Sequence, residues 1–79
     1  MKDFLKKIAA AIVENPDQIE ISSEEGEGAT IYTILVPESE VGKIIGKEGR
    51  VISAIRCLAR LKALKSQQKV LIKVEAKVF

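Results

Sequence analysis

The chain of 79 residues contains no histidine. Imidazole is the commonest general base and the commonest protein metal ligand, so the usual routes to acid–base and zinc chemistry are closed. One cysteine, Cys57, rules out an internal disulfide, and without histidine there is no cysteine–histidine nucleophile pair. Cys57 sits within a helical pattern and reads as a small apolar residue. Aromatic residues make up only 4% of the chain, so the stacking platforms that many RNA-binding modules use are scarce. No apolar run approaches the roughly 18–20 residues that span a bilayer. The acids are spread over turns and strand faces rather than clustered as metal ligands. No metal, no cofactor, no membrane association and no catalytic centre are therefore expected.

What is present fits one domain, residues 1–79. A domain of this size buries only about 60–65% of its unfolded surface, which makes its stability modest. The N-terminus carries lysines before an apolar patch, as a signal peptide does. Its apolar residues are interrupted at helical spacing, however, and removing them would leave too little chain to fold, so a mature cytoplasmic protein is expected. The net charge is +2, but its distribution is lopsided. Residues 1–40 hold three lysines against nine acids, a net −6. Residues 41–73 hold nine bases against Glu48 alone, a net +8. The basic half points to an anionic partner.

Leu5, Ile8 and Ile12 recur at helical spacing and predict a helix over Lys2 to Glu14, ended by the Asn15-Pro16 turn signal. Ile19 and Ile21 alternate with polar residues, which predicts a half-buried strand. Glu24 to Gly28 reads as a turn, and Ala29 to Val36 as a β-branched strand, apolar on both faces and hence central. Pro37 stops it. A short helix follows over Glu38 to Ile45, with Glu38 or Ser39 near its N-cap. After Gly46–Gly49 a long helix is expected from Arg50 to about Lys65. Val51, Ile55, Leu58 and Leu61 form its apolar stripe, with Ala54, Ala59 and Leu64 beside it. Val70, Ile72, Val74, Ala76 and Val78 alternate as a last strand. The order is α-β-β-α-α-β. Joining the second and third strands through two helices places them parallel, as a right-handed crossover. The expected fold is therefore a two-layer α+β domain, a mixed three-stranded sheet covered on one face by three helices.

Glycine costs roughly 1 kcal/mol against alanine inside a helix, so Gly46-Lys47-Glu48-Gly49 marks a junction between two helices rather than a flaw in one. At such a junction the first N–H groups of the second helix lack partners, and the helix dipole adds about half a positive charge. Without Cβ atoms on the glycines an anion can come close, and Lys43, Lys47 and Arg50 add full charges nearby. That combination makes a phosphate-binding corner. The P-loop pattern does not fit, and the spacing of Gly42, Gly46 and Gly49 fails the dinucleotide fingerprint.

The stretch "IIGKEGRVISAI" resembles the core of the K-homology (KH) domain: an aliphatic pair (Ile44, Ile45), G-x-x-G (Gly46, Lys47, Glu48, Gly49), and aliphatics three and six positions on (Ile52, Ile55). The element order matches the prokaryotic, type II version, and the resemblance covers the whole chain. It implies single-stranded RNA as ligand, with about four nucleotides held in a groove and the G-x-x-G loop clamping the backbone. Carried over residue by residue, Gly46, Lys47, Glu48 and Gly49 form the clamp. Ile44 and Ile45 belong to the aliphatic groove floor, Ile52 is shared between floor and core, and Arg50 falls where the family often has a base. Lys43 flanks the clamp. A KH groove works by aliphatic packing and base-edge hydrogen bonds, which tolerates few aromatics. A role as RNA chaperone or post-transcriptional regulator fits such a binder. Nothing visible reads a 2′-hydroxyl, so DNA stays open as a ligand.

Glu48 departs from the pattern, because an acid in the clamp repels phosphate unless it points to solvent or pairs with Lys47 or Arg50. Arg56, Arg60, Lys62 and Lys65 read as a solvated helix face, with an extended RNA path as the alternative. Cys57, Leu61 and Leu64 add a second apolar strip to the long helix, which suits contact with another chain. The resemblance to small single-domain KH proteins implies a homodimer, or a heterodimer with a larger KH-containing Jag-type protein. An interaction module with residual RNA binding is thus the competing reading.

Overall fold

β-Branched and charged residues alternate into a three-stranded sheet in the computed structural model, which describes residues 1–77. The elements are α1 (Lys2–Ala10), β1 (Glu20–Gly26), β2 (Ala29–Pro37), α2 (Glu38–Ile45), α3 (Arg50–Lys65) and β3 (Val70–Lys77). The sheet order is β1-β2-β3. β1 pairs antiparallel to β2, with Ile21 opposite Ile34, and β3 pairs parallel to β2, with Ile72 opposite Tyr32. The mixed sheet with a central β2 is the one expected. Val78, the last residue of the predicted alternation, lies outside the described residues.

Period-two alternation assigns the faces. Ile34, Val36, Val70 and Ile72 are buried beneath the helices. Leu71, on the other face, is exposed, as is most of β1. Leu5, Ala9, Ile44, Ile52, Ile55, Ala59 and Ala63 complete the core from the helical side.

The turn expected over Glu24 to Gly28 is shorter, because Glu24, Glu25 and Gly26 pair with Ile31, Thr30 and Ala29 at the end of β1. Three further expectations need correction. The first helix stops at Ala10 rather than Glu14. Ile12 and Val13 both donate to the Ala9 carbonyl, and the turn swings Val13 into the core. The Glu14 N–H, which a longer helix would use internally, donates instead to Glu40 Oε1 at 2.7 Å. At α2 the N-cap is Pro37, with no side-chain cap bond from Glu38 or Ser39. The third correction concerns the face of α3. Its buried residues are Ile52, Ile55, Ala59 and Ala63. Leu58, Leu61 and Leu64, assigned to the core stripe or its flank, are exposed, and so is Ala54. The helix carries two apolar stripes, and the one with alanines faces the sheet because small side chains permit close approach.

Candidate nucleic-acid interface

The junction between α2 and α3 is built by backbone geometry. Gly46 ends α2, its N–H donating to the Gly42 carbonyl at 2.8 Å. Lys47–Gly49 then make one 3₁₀ turn, closed by the Gly49 N–H on the Gly46 carbonyl at 3.1 Å. Three of the four loop residues have positive φ: Gly46 at 77°, Glu48 at 57° and Gly49 at 74°. The two glycines answer different needs. A Cβ on Gly46 would lie 2.3 Å from Val51 Cγ2 and 2.9 Å from the Val51 nitrogen. A Cβ on Gly49 would meet nothing within 4 Å. Gly46 is therefore demanded by packing, whereas Gly49, the N-cap of α3, leaves its backbone open to solvent. The Arg50 N–H that opens α3 donates to the Lys47 carbonyl, and no side chain caps the N–H groups that follow it.

The charges around this corner divide. Lys47, Glu48 and Arg50 are exposed. Glu48 Oε2 lies 3.5 Å from Arg50 Nη2, so the acid of the loop is paired with the first base of α3. Lys47 makes no ion pair among the described residues. Lys43, expected as a third free cation, is committed elsewhere: its Nζ lies 3.0 Å from Glu14 and 3.9 Å from Glu40. Glu40 is 3% exposed, and its Oε2 has no hydrogen-bond partner. This Glu14–Glu40–Lys43 cluster fastens the segment after α1 to α2, and so fixes the helix from which the loop hangs.

The aliphatic residues divide in the same way. Ile45 is 39% exposed beside the loop. Ile44, expected in the groove floor, is 0% exposed and belongs to the core. One helical step of about 100° separates the two, so when one faces the sheet the other turns outward. Ile52 is buried and belongs to the core cluster.

A family model of the KhpA/KhpB KH domain matches residues 2–74. The chain belongs to this KH-domain family. It is 38% identical to the RNA-binding protein KhpA of Caldanaerobacter subterraneus subsp. tengcongensis over 74 residues, 94% of this chain and 99% of the relative. It is 40% identical to the RNA-binding protein KhpA of Chlamydia caviae over 74 residues, 94% of this chain and 95% of that one. Among solved structures, the crystal structure of Era in complex with MgGDPNP and nucleotides 1506–1542 of 16S ribosomal RNA aligns with a TM-score of 0.69 at 23% identity. The alignment covers 99% of this chain and 30% of the Era chain, so it shows a shared fold with one part of a larger protein.

Beside the loop of this KH domain lies a feature that the sequence reading left on a solvated face. Arg56 reaches across to the edge strand, and its Nε and Nη2 both donate to the Ile72 carbonyl at 3.4 Å. The signal was its spacing: Arg56 follows Ile52 by four residues, hence on the same helix face, and Arg60 follows by four more. Lys62 is different. Its Nζ sits 4.6 Å from the centre of the Phe4 ring, a cation–π contact that ties α3 to α1.

Proposed function

We propose that the protein binds single-stranded RNA, holding the sugar-phosphate backbone with Gly46–Gly49 and the first turn of α3. The observation that carries this reading is the loop itself, in which positive φ at Gly46, Glu48 and Gly49 leaves the backbone uncovered between two exposed bases, Lys47 and Arg50. Lys43 and Ile44 support the clamp from behind, through Glu14 and through the core. Ile45 forms its apolar side. RNA binding is also what the names of the KhpA relatives state of those proteins. The module works by binding rather than catalysis, in the cytoplasm, as a chaperone or post-transcriptional regulator of RNA.

Titrating a short labelled single-stranded RNA by fluorescence anisotropy tests this. Lys47→Glu combined with Arg50→Glu should abolish binding without unfolding the domain. For the unmodified protein, log K should fall with log salt at about −0.7 per phosphate engaged. Affinity that ignores salt sinks the clamp.

A second reading is favoured by the exposed leucines of α3. Leu58, Leu61 and Leu64 project outward on one strip, and Leu64 is 72% exposed. An unpartnered strip of this kind suits a homodimer, or a heterodimer with a larger KH-containing Jag-type protein. Two weak sites on one RNA would then gain effective concentration. Sedimentation at high micromolar concentration decides: a strict monomer removes self-association, and dissociation by Leu61→Glu places it on this strip.

A further inference from the structure

We propose that the free edge of β1 docks a basic, extended segment of another protein, adding it to the sheet as a further strand beside α1. This docking is independent of the RNA-binding reading above. It uses the acidic half of the chain, residues 1–40 with a net −6, which RNA binding leaves without a role.

β1 is an outer strand of the sheet, and every residue of it but Ile21 is exposed. The two-residue loop Glu27-Gly28 fixes which of its backbone groups are free. Gly26 and Ala29 close that loop as a hydrogen-bonded pair, and bonded pairs alternate along an antiparallel ladder. Glu20, Ser22, Glu24 and Gly26 therefore bond to β2. Ile21, Ser23 and Glu25 turn their N–H and C=O groups to the open edge. Such a row is a template for one more strand.

A cavity lies alongside. It has a volume of about 370 Å³, between α1 and the start of β1, and is lined by Lys2, Asp3, Lys6, Ile19, Glu20 and Ile21. Ile21 stands opposite the buried Ile34 and so faces the helices, yet it is only half-buried. Side chains directly opposite one another on an antiparallel pair share a face. An added strand that places an apolar residue opposite Ile21 thus points it into this cavity, against Ile21 and the stems of the lysines.

Charge selects the occupant. Glu24, Glu25 and Glu27 are exposed and make no ion pair among the described residues, whereas Glu20 is paired with Lys77. β1 holds three acids and no base. Pairing with a second copy would lay acids beside acids with no base to offset them, and RNA phosphate is repelled likewise. Charges on an edge strand ordinarily deter pairing, but a guard of one sign admits a strand of the other. Antiparallel pairing is the more stable per residue. In that direction lysines opposite Glu25 and Glu24 precede the apolar residue opposite Ile21, in the order Lys-Lys-x-x-Ile.

The test uses the whole chain, isotope-labelled for NMR, and the end-capped peptide Thr-Lys-Lys-Thr-Thr-Ile-Thr. In the free protein, amide hydrogen exchange should be fast at Ile21, Ser23 and Glu25 and slow at Ser22 and Glu24. At about 1 mM peptide, the Kd of a weak contact, the three fast amides should slow at least about twofold. Glutamate in place of both peptide lysines should weaken binding about fivefold or more, since two attractive cross-strand pairs become repulsive. N-methylation of the peptide threonine opposite Ser23 removes a ladder donor and should abolish the protection. Glu24→Lys combined with Glu25→Lys should make the protein prefer the glutamate peptide. The proposal is overturned if the three amides keep their free rates, or if protection survives N-methylation. It is also overturned if the unmodified protein binds both peptides equally, or if single-stranded RNA protects the same amides.

Discussion

Gly46 packs against Val51 so closely that a Cβ would stand 2.3 Å from Val51 Cγ2 and 2.7 Å from its Cβ. The first glycine of the G-x-x-G loop is therefore a packing residue before it is a ligand residue. Gly46→Ala must move both backbone and side chain while holding a φ of 77°. It should cost on the order of 3 kcal/mol, from strain and overpacking together. Chemical denaturation measures this, and a loss below about 0.5 kcal/mol would contradict the contact. Loss of RNA binding in any Gly46 variant must then be checked against unfolding, which is why Lys47 and Arg50 make cleaner probes.

Gly42 provides the contrast. It is exposed within α2, and a Cβ there would meet nothing within 4 Å. Gly42→Ala should stabilise the domain by about 0.5–1 kcal/mol, the helical preference of alanine over glycine. A higher denaturation midpoint with an unchanged m-value is the expected result.

Glu48 and Arg50 are paired but largely exposed, so their link contributes little to stability. Glu48→Gln should leave the denaturation midpoint nearly unmoved and strengthen RNA binding, because one negative charge leaves the loop and Arg50 is freed. Glu48→Lys should bind tighter still, with the salt slope steeper by about 0.7 if the lysine engages one phosphate. Unchanged affinity in both variants would mean that the loop does not face the RNA.

Glu40 is the buried acid that accepts the Glu14 N–H. Glu40→Ala strands that donor and leaves Lys43 with Glu14 alone. A destabilisation of about 2 kcal/mol is expected, the cost of an unmet buried hydrogen bond plus lost packing. RNA affinity of the folded fraction should fall only modestly, since Glu40 acts through the position of α2, from which the loop hangs, and not on the ligand. Parallel denaturation and binding titrations separate the two effects.

Much of the molecule was legible from local pattern. The order α-β-β-α-α-β, the central β2 and the loop at Gly46–Gly49 follow from periodicity, turn residues and glycine spacing, each a property of a few neighbouring residues. The limits of α1 were not legible. Ile12 continues the helical stripe of Leu5 and Ile8, yet the chain turns at Ala11, and Glu14 bonds to Glu40 across 26 positions of sequence. Lys43 looked like a clamp residue by proximity in sequence, but it pairs with Glu14, far back in the chain, as well as with Glu40.

By itself the sequence determined which segments become helix or strand and where two helices must meet in a glycine corner, because backbone preference and side-chain period act over a single turn. Only the tertiary structure decided which of two apolar stripes on α3 enters the core. Ile52, Ile55, Ala59 and Ala63 face inward, and Leu58, Leu61 and Leu64 face solvent. Hydrophobicity alone favours the leucines. Close packing of a helix on a sheet favours the stripe whose volumes fit, and fit is defined only once both surfaces exist. The same holds for Arg56 and Ile72, sixteen residues apart and joined only when β3 has taken its place at the edge of the sheet.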